Sequence, residues 1–169
     1  CPIAGFRALL IFLAVAARQR CRVFQLDFVG AFLQSYAVDR TMTTLPQEWK
    51  QFFPDLAKWF GVPLLCRKSL CGGQHCNKSW DDHLSNWLEG CDLIRLPSEG
   101  SMFMKRSGDN FLCLLNAVDD QLCFSDCDDM RRDFEAAVKK AFDVDFLGQA
   151  HWFPQARVAQ NTDFSIALD

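Results

Sequence analysis

The chain has 169 residues, half of them apolar and under a quarter charged, which suits one domain and excludes a disordered chain. No run reaches the ~18 uncharged apolar residues that a membrane-spanning helix requires. A net charge of −3 argues against a domain that binds nucleic acid through a basic surface of its own.

The first residue is Cys1, which reads as a processed precursor or a piece of a longer chain. Residues 8–17 (ALLIFLAVAA) form an apolar run after Arg7. Such a run fits either a signal-peptide core or a buried helix. Leu9, Leu10, Leu13, Ala16 and Ala17 share one helical face, and Arg18, Arg20 and Arg22 crowd the segment after the run. The helix is the preferred reading.

Residues 23–26 (VFQL) are a β-prone run ending at Asp27, and residues 28–36 continue as a turn or short helix. Residues 47–61 are rich in aromatics, punctuated by Pro46, Pro54 and Pro63. Helical or strand spacing assigns most of the chain's aromatic rings to core packing rather than to stacking on bases. Residues 64–66 form a candidate strand before the loop 69–75. Residues 77–89 predict a helix with Trp80, Leu84, Trp87 and Leu88 on one face, Asn77 as its cap and Gly90 as its stop.

Residues 102–105 and 110–115 read as two strands joined through Ser107-Gly108-Asp109, and residues 121–124 as a third. Ser125-x-x-Asp128 resembles a capping box. The helix after it has the stripe Met130, Phe134, Ala137, Val138, Ala141 and Phe142. The tail from Val144 reads as irregular, with short strands such as 156–159.

From Val23 the order is strand, helix, strand, strand, helix, strand, the β-α-β-β-α-β pattern of a ferredoxin-like α+β sheet. That topology brings Asp27, at the end of the first strand, to Asp119 and Asp120, in the turn between the middle strands. Hard divalent cations take oxygen ligands, and a pair of them supports in-line phosphoryl transfer. Taken alone, Asp119-Asp120 is ordinary turn chemistry; the convergence with Asp27 is what points to a metal site. The acidic stretch 119–145 offers no chemical role beyond those two residues and otherwise forms the solvated face of a helix.

Cys66, Cys71 and Cys76, with His75, lack the spacing of a zinc site, and the nine cysteines read as reduced, buried thiols of an intracellular protein. His83 and His151 have no partner at ligand spacing.

Residues 25–33 (QLDFVGAFL) resemble the QLDVxxAFL motif of copia-type retrotransposon reverse transcriptases. Ser69-Leu70-Cys71-Gly72 with Trp80 is similar to that family's SLYG…W segment. Ala117-Val118-Asp119-Asp120 stands where the family has YVDD. Phe142, Leu147-Gly148 and Trp152-Phe153 resemble F-x-M-x-D-L-G…YFLG, and Pro2 with residues 6–10 matches the stretch before the first motif.

The resemblance implies an RNA-directed DNA polymerase with a right-hand palm, partial fingers and no thumb. It forms one partial domain over residues 1–169. Within it lie an opening helix at 1–22, the first catalytic motif at 23–36, a fingers-like segment at 37–76 and the palm at 77–169. Asp27, Asp119 and Asp120 would be the catalytic residues and the ligands of two Mg²⁺ (or Mn²⁺) ions. Phe28, Ala31, Phe32 and His75 would form the nucleotide pocket, with Phe32 under the sugar. The implied partners are an RNA template, a DNA primer, deoxynucleoside triphosphates, and the integrase and ribonuclease H of the same polyprotein. No membrane is implied, and the setting is a cytoplasmic particle or the nucleus.

The motifs also depart from the family. Ala117 replaces a tyrosine, Asn116 an aliphatic, Cys71 the SLYG tyrosine, His75 a glutamine, Asn77 a proline, and Pro154-Gln155 a Leu-Gly. These departures suggest a disused copy, so the alternatives are an inactive relic or a non-enzymatic binding module keeping the palm.

Overall fold

A computed structural model describes residues 4–38, 40–73, 75–154 and 156–169; Cys1, Pro2 and Gln155, used above, lie outside these. Helix α1 (Phe6–Arg18) is followed by strand β1 (Phe24–Phe28) and the short helix α2 (Ala31–Gln34). Next come β2 (Met42–Thr43), two 3₁₀ turns (Gln47–Gln51 and Pro54–Trp59) and β3 (Leu64–Leu65). Helix α3 (Cys76–Gly90) leads into β4 (Ile94–Leu96), β5 (Glu99–Ser107), β6 (Asn110–Ala117) and β7 (Asp120–Ser125). Helix α4 (Asp128–Ala141) then precedes β8 (Val144–Gln149), β9 (Trp152–Phe153), β10 (Ala156–Gln160) and β11 (Ile166–Leu168).

The main sheet has the order β4-β5-β6-β7-β1-β8, and every pairing in it is antiparallel. The first strand therefore lies inside the sheet, between β7 and β8. Both faces are covered. On one face Leu26, Phe28, Leu112, Leu114 and Cys123 pack with α3 and α4 through Trp80, Leu84, Leu88, Phe134 and Val138. On the other, Val23, Leu115, Leu122 and Phe124 pack against Leu9, Phe12 and Leu13 of α1 and against Phe153 and Val158. Burial of this kind contributes about 25 cal/mol per Å² of apolar surface removed from water and is the main stabilising effect.

Residues 8–17 thus lie within a helix whose Ala8, Leu9, Phe12, Leu13 and Ala16 are buried. Leu10, expected on the inner face, is exposed, and Phe12 takes its place. The helical phase is set by Phe12, which meets Phe124 edge-on at 4.7 Å.

Several boundaries differ from the sequence expectations. Strand β1 runs on to Phe28, placing Asp27 within it, because β8 pairs along it from Phe24 to Phe28. The tail from Val144 opens with that strand, whose pairing shifts register at Gln25/Leu26, and continues as the short strands β9, β10 and β11. Asn77 lies inside α3 rather than at its cap; His75 occupies the cap position but its side chain does not cap the helix, and the helix includes Gly90. The Ser125 capping box does not form. Its hydroxyl donates to the Phe111 carbonyl and accepts from the Cys127 amide, and α4 begins at Asp128 without a side-chain cap. Pro154 lies in a turn after β9.

The aromatic segment departs most. Trp49, Phe52, Phe53 and Trp59 are all exposed, and neither 3₁₀ turn contains a buried residue. The prolines that break the segment into single turns leave it no continuous face to bury. The eight described cysteines carry free thiols; Cys71 is exposed rather than buried, whereas burial pushes Cys123 up to about 12. Among the described residues no helix is long and apolar enough to cross a membrane.

Candidate functional site

The hairpin between β6 and β7 closes with Ala117 opposite Asp120, leaving Val118 and Asp119 as a two-residue loop. Val118 adopts φ +58. A positive φ at the first loop position is the pattern of a type II′ turn, normally supplied by glycine, and a β-branched residue there is strained. The turn is held by a second contact, since the Trp80 indole N–H of α3 donates to the Val118 carbonyl at 2.6 Å. Replacing Val118 by glycine is expected to raise the unfolding free energy by about 1 kcal/mol. Denaturant unfolding measures it, and a loss of stability would refute the strain.

Asp27 of β1 is the direct cross-strand partner of Asp120 on β7 and of Asp145 on β8. Directly opposed residues in antiparallel strands project from the same face with Cβ atoms about 4.5–5.5 Å apart. Three carboxylates therefore stand in a row across three adjacent strands. The Phe28 amide donates to the Asp119 carbonyl at 2.8 Å, which joins the loop to the end of β1 and puts the Asp119 carboxylate beside the row. Val23, on the same side of β1, packs with α1, so the row lies at the end of that face.

The electrostatics follow from this crowding. Burial, then the negative charges of Asp119 and Asp145, push the Asp27 carboxyl above the usual carboxylate range. Burial also raises Asp120, assisted by Asp119 and Asp27 and opposed by a hydrogen bond from the Gln25 amide at 2.9 Å. Among the described residues no Lys or Arg forms an ion pair with Asp27, Asp119 or Asp120.

A carboxyl whose pKa is raised on folding favours the fold while protonated, so the contribution is lost as pH climbs through the raised value. In chelator at pH 7, Asp27→Asn is therefore expected to raise the melting temperature by about 1–4 °C, the effect of relieving about 0.5–1 kcal/mol of repulsion. The gain shrinks toward pH 4. A melting temperature lowered at pH 7 would refute this account.

Gly30 precedes α2 in the left-handed region at φ +58. It turns the chain so that Ala31, Phe32 and Leu33, with Leu70, Cys71 and Asp119, line a cavity of about 570 Å³. Phe32 is half-buried there and Ala31 buried. The Phe28 ring takes no part, because it is packed edge-on against Trp80 and Phe142 on the opposite face of the sheet. His75 lines a neighbouring crevice with Ser69, Gly73 and Ser79, and Leu70 borders both spaces. His83 lies against the Phe142 ring.

The structure thus brings Asp27, Asp119 and Asp120 together beside Ala31 and Phe32 and sets Phe28 and His75 apart. It adds two residues that carried no assigned role in the sequence. Gln25 could have been found from its period-2 spacing to Asp27, and Asp145 from the alternating Phe142, Val144 and Phe146, which mark a strand. Asp145 is the one further member of the acidic stretch that stands beside Asp27 across the strands.

A set of oxygen donors without paired cations suits a hard divalent ion that keeps waters and binds with substrate phosphates. Among the described residues no three His, Cys, Asp or Glu side chains form a ready metal cage.

No curated protein and no solved structure matches the chain. The family described as reverse transcriptase (RNA-dependent DNA polymerase) matches residues 1–168. With essentially its whole described length in that match, the chain belongs to the reverse transcriptase family.

Proposed function

We propose that the chain is a copia-type RNA-directed DNA polymerase that copies retrotransposon RNA by two-metal nucleotidyl transfer. The observation that carries this reading is the pairing of Asp27 with Asp120 across β1 and β7, with Asp119 in the adjoining turn and beside the Phe32 cavity. The order β8-β1-β7-β6, with α3 and α4 on one face, supports a ferredoxin-like palm, and the β2–β3 hairpin with its 3₁₀ turns supports the fingers-like segment.

Asp27, Asp119 and Asp120 would hold two Mg²⁺ or Mn²⁺ ions. When bound, such ions lower the charge cost of attack by a primer 3′-hydroxyl on the nucleotide's α-phosphate. The remaining steps belong to the chain. Gln25 donates to Asp120 and fixes its carboxylate, keeping it from swinging away from the row. Phe32 forms the cavity wall on which a sugar would rest, where an aromatic ring disfavours a 2′-hydroxyl. Ala31, buried next to it in the chain, would form part of the same pocket through its backbone. Template RNA and DNA primer would lie across the carboxylate end of the sheet. The integrase and ribonuclease H of the same polyprotein are the proposed partners, and the free thiols support an intracellular setting.

Isothermal titration with Mn²⁺ in the presence of a deoxynucleoside triphosphate tests the reading. The expected result is a carboxylate-dependent heat that disappears on Asp119→Asn. A signal unchanged by that substitution would instead assign the fold to a non-catalytic binding role.

A further inference from the structure

The groove beside α1 is not accounted for by the carboxylate site. Arg7, Ile11, Val15 and Arg18 fall at i, i+4, i+8 and i+11, which stacks them along one ridge of the helix. Ile11 and Val15 are 46% and 42% exposed. They wall an apolar cavity of about 140 Å³ whose lining includes Leu96, Met102, Met104 and Cys113. Strand register extends that floor to the edge of the sheet. Ile94 of β4 opposes Met104 of β5, which opposes Cys113 of β6, so the three project from one face. Ile94 is 70% exposed and forms the outer lip. Arg106 lies two residues beyond Met104 on that face and is exposed, as are Arg7 and Arg18. Among the described residues none of these three arginines forms an ion pair, and α1 contains no acidic residue.

We propose that this groove docks an acidic amphipathic helix of a partner protein. A Leu or Phe of that helix fills the cavity, and its Asp and Glu residues meet the arginines. The charge pattern selects this occupant. Cations bracket the apolar wall at both ends, and a guanidinium grips a carboxylate through two parallel hydrogen bonds. A second copy presenting the same surface about a two-fold axis would set arginine against arginine. A lipid surface would leave the recess between α1 and the sheet unfilled, because lipid binding uses the outward side of a helix. The groove lies over β4, β5 and β6, whereas the carboxylate row crosses β7, β1 and β8. Docking therefore uses the other half of the sheet, and the inference stands independently of the polymerase reading.

Fluorescence anisotropy on the whole 169-residue chain tests the groove. The probe is a labelled peptide of the length of α1, with Leu at i, i+3, i+4 and i+7 and Glu elsewhere. Its binding is expected to weaken with added salt and to fall at least about tenfold in an Ile11→Ser, Val15→Ser variant. The same peptide with Lys in place of every Glu should bind the parent at least about tenfold more weakly. Arg7→Glu with Arg18→Glu leaves the apolar wall in place and decides the matter if the serine variant loses its circular dichroism signature. That variant is expected to reverse the preference and take the Lys peptide. Affinity within about twofold of the parent in the folded variants, equal binding of the two peptides, or no binding by the parent overturns the proposal. So does a parent dimer, seen by light scattering, that the serine substitutions dissociate. Sedimentation of the parent with phosphatidylcholine–phosphatidylglycerol vesicles, abolished by those substitutions, would assign the surface to lipid and overturn it as well.

Discussion

Trp80→Ala is expected to cost about 3–5 kcal/mol of stability, lowering the melting temperature by roughly 6–20 °C. Trp80 is 1% exposed and meets Phe28 at 5.1 Å and Phe142 at 5.7 Å, both edge-on. Removing it opens a cavity among three elements, because Phe28 belongs to β1, Trp80 to α3, and Phe142 follows α4. It also removes the donor to the Val118 carbonyl, the contact that holds the strained turn before Asp119. Trp80→Phe separates the two effects. It keeps most of the packing but deletes the N–H, and should cost about 1–2 kcal/mol. Chemical denaturation of both variants measures the difference. If Trp80→Ala costs less than about 1 kcal/mol, the turn and core are not coupled through this residue.

The sequence made the order of the main strands legible because each carries its own local signal. Residues 110–115 and 121–124 are runs of Leu, Phe and Cys bounded by turn residues, and β6 and β7 contain both. It made the meeting of Asp27 with Asp119-Asp120 legible only through topology, since nothing local distinguishes that Asp-Asp pair from any hairpin turn. Helix ends were poorly legible. Asn77 and Ser125 have good capping chemistry, but tertiary packing set the starts of α3 and α4 elsewhere, and Ser125 spends its hydroxyl on Phe111. Asp145 was hidden for another reason: its significance depends on β8 lying beside β1, a pairing more than 110 residues apart in sequence. The aromatic segment failed in the opposite direction. Spacing alone cannot tell a ring that packs from one that faces water, because both are apolar side chains at similar intervals.

The low net charge now has a local explanation. A site that gathers Asp27, Asp119, Asp120 and Asp145 makes the sheet end acidic, while residues 36–68 carry a positive excess. An overall count averages the two and conceals both.

Single-nucleotide primer extension on an RNA template should show the largest effect of any substitution at this site. Asp27→Asn and Asp119→Asn are each expected to lower the Mg²⁺-dependent rate by about 10³-fold or more, since a carboxamide supplies an oxygen but no negative charge to offset that of the phosphates. KM for the nucleotide should change far less than kcat if the carboxylates act mainly on the transition state. Neither variant should unfold, because both carboxylates repel their neighbours and their neutralisation relieves that repulsion. Gln25→Leu offers a graded comparison. The side chain is buried and its amide holds Asp120, so its loss frees that carboxylate without removing it, and about a tenfold decrease in kcat is expected. The ordering itself carries the argument. A charge-based site loses most from Asp27 and Asp119 and less from the positioning amide. A scaffold without chemistry would show the three variants equal to the parent in every assay except thermal stability.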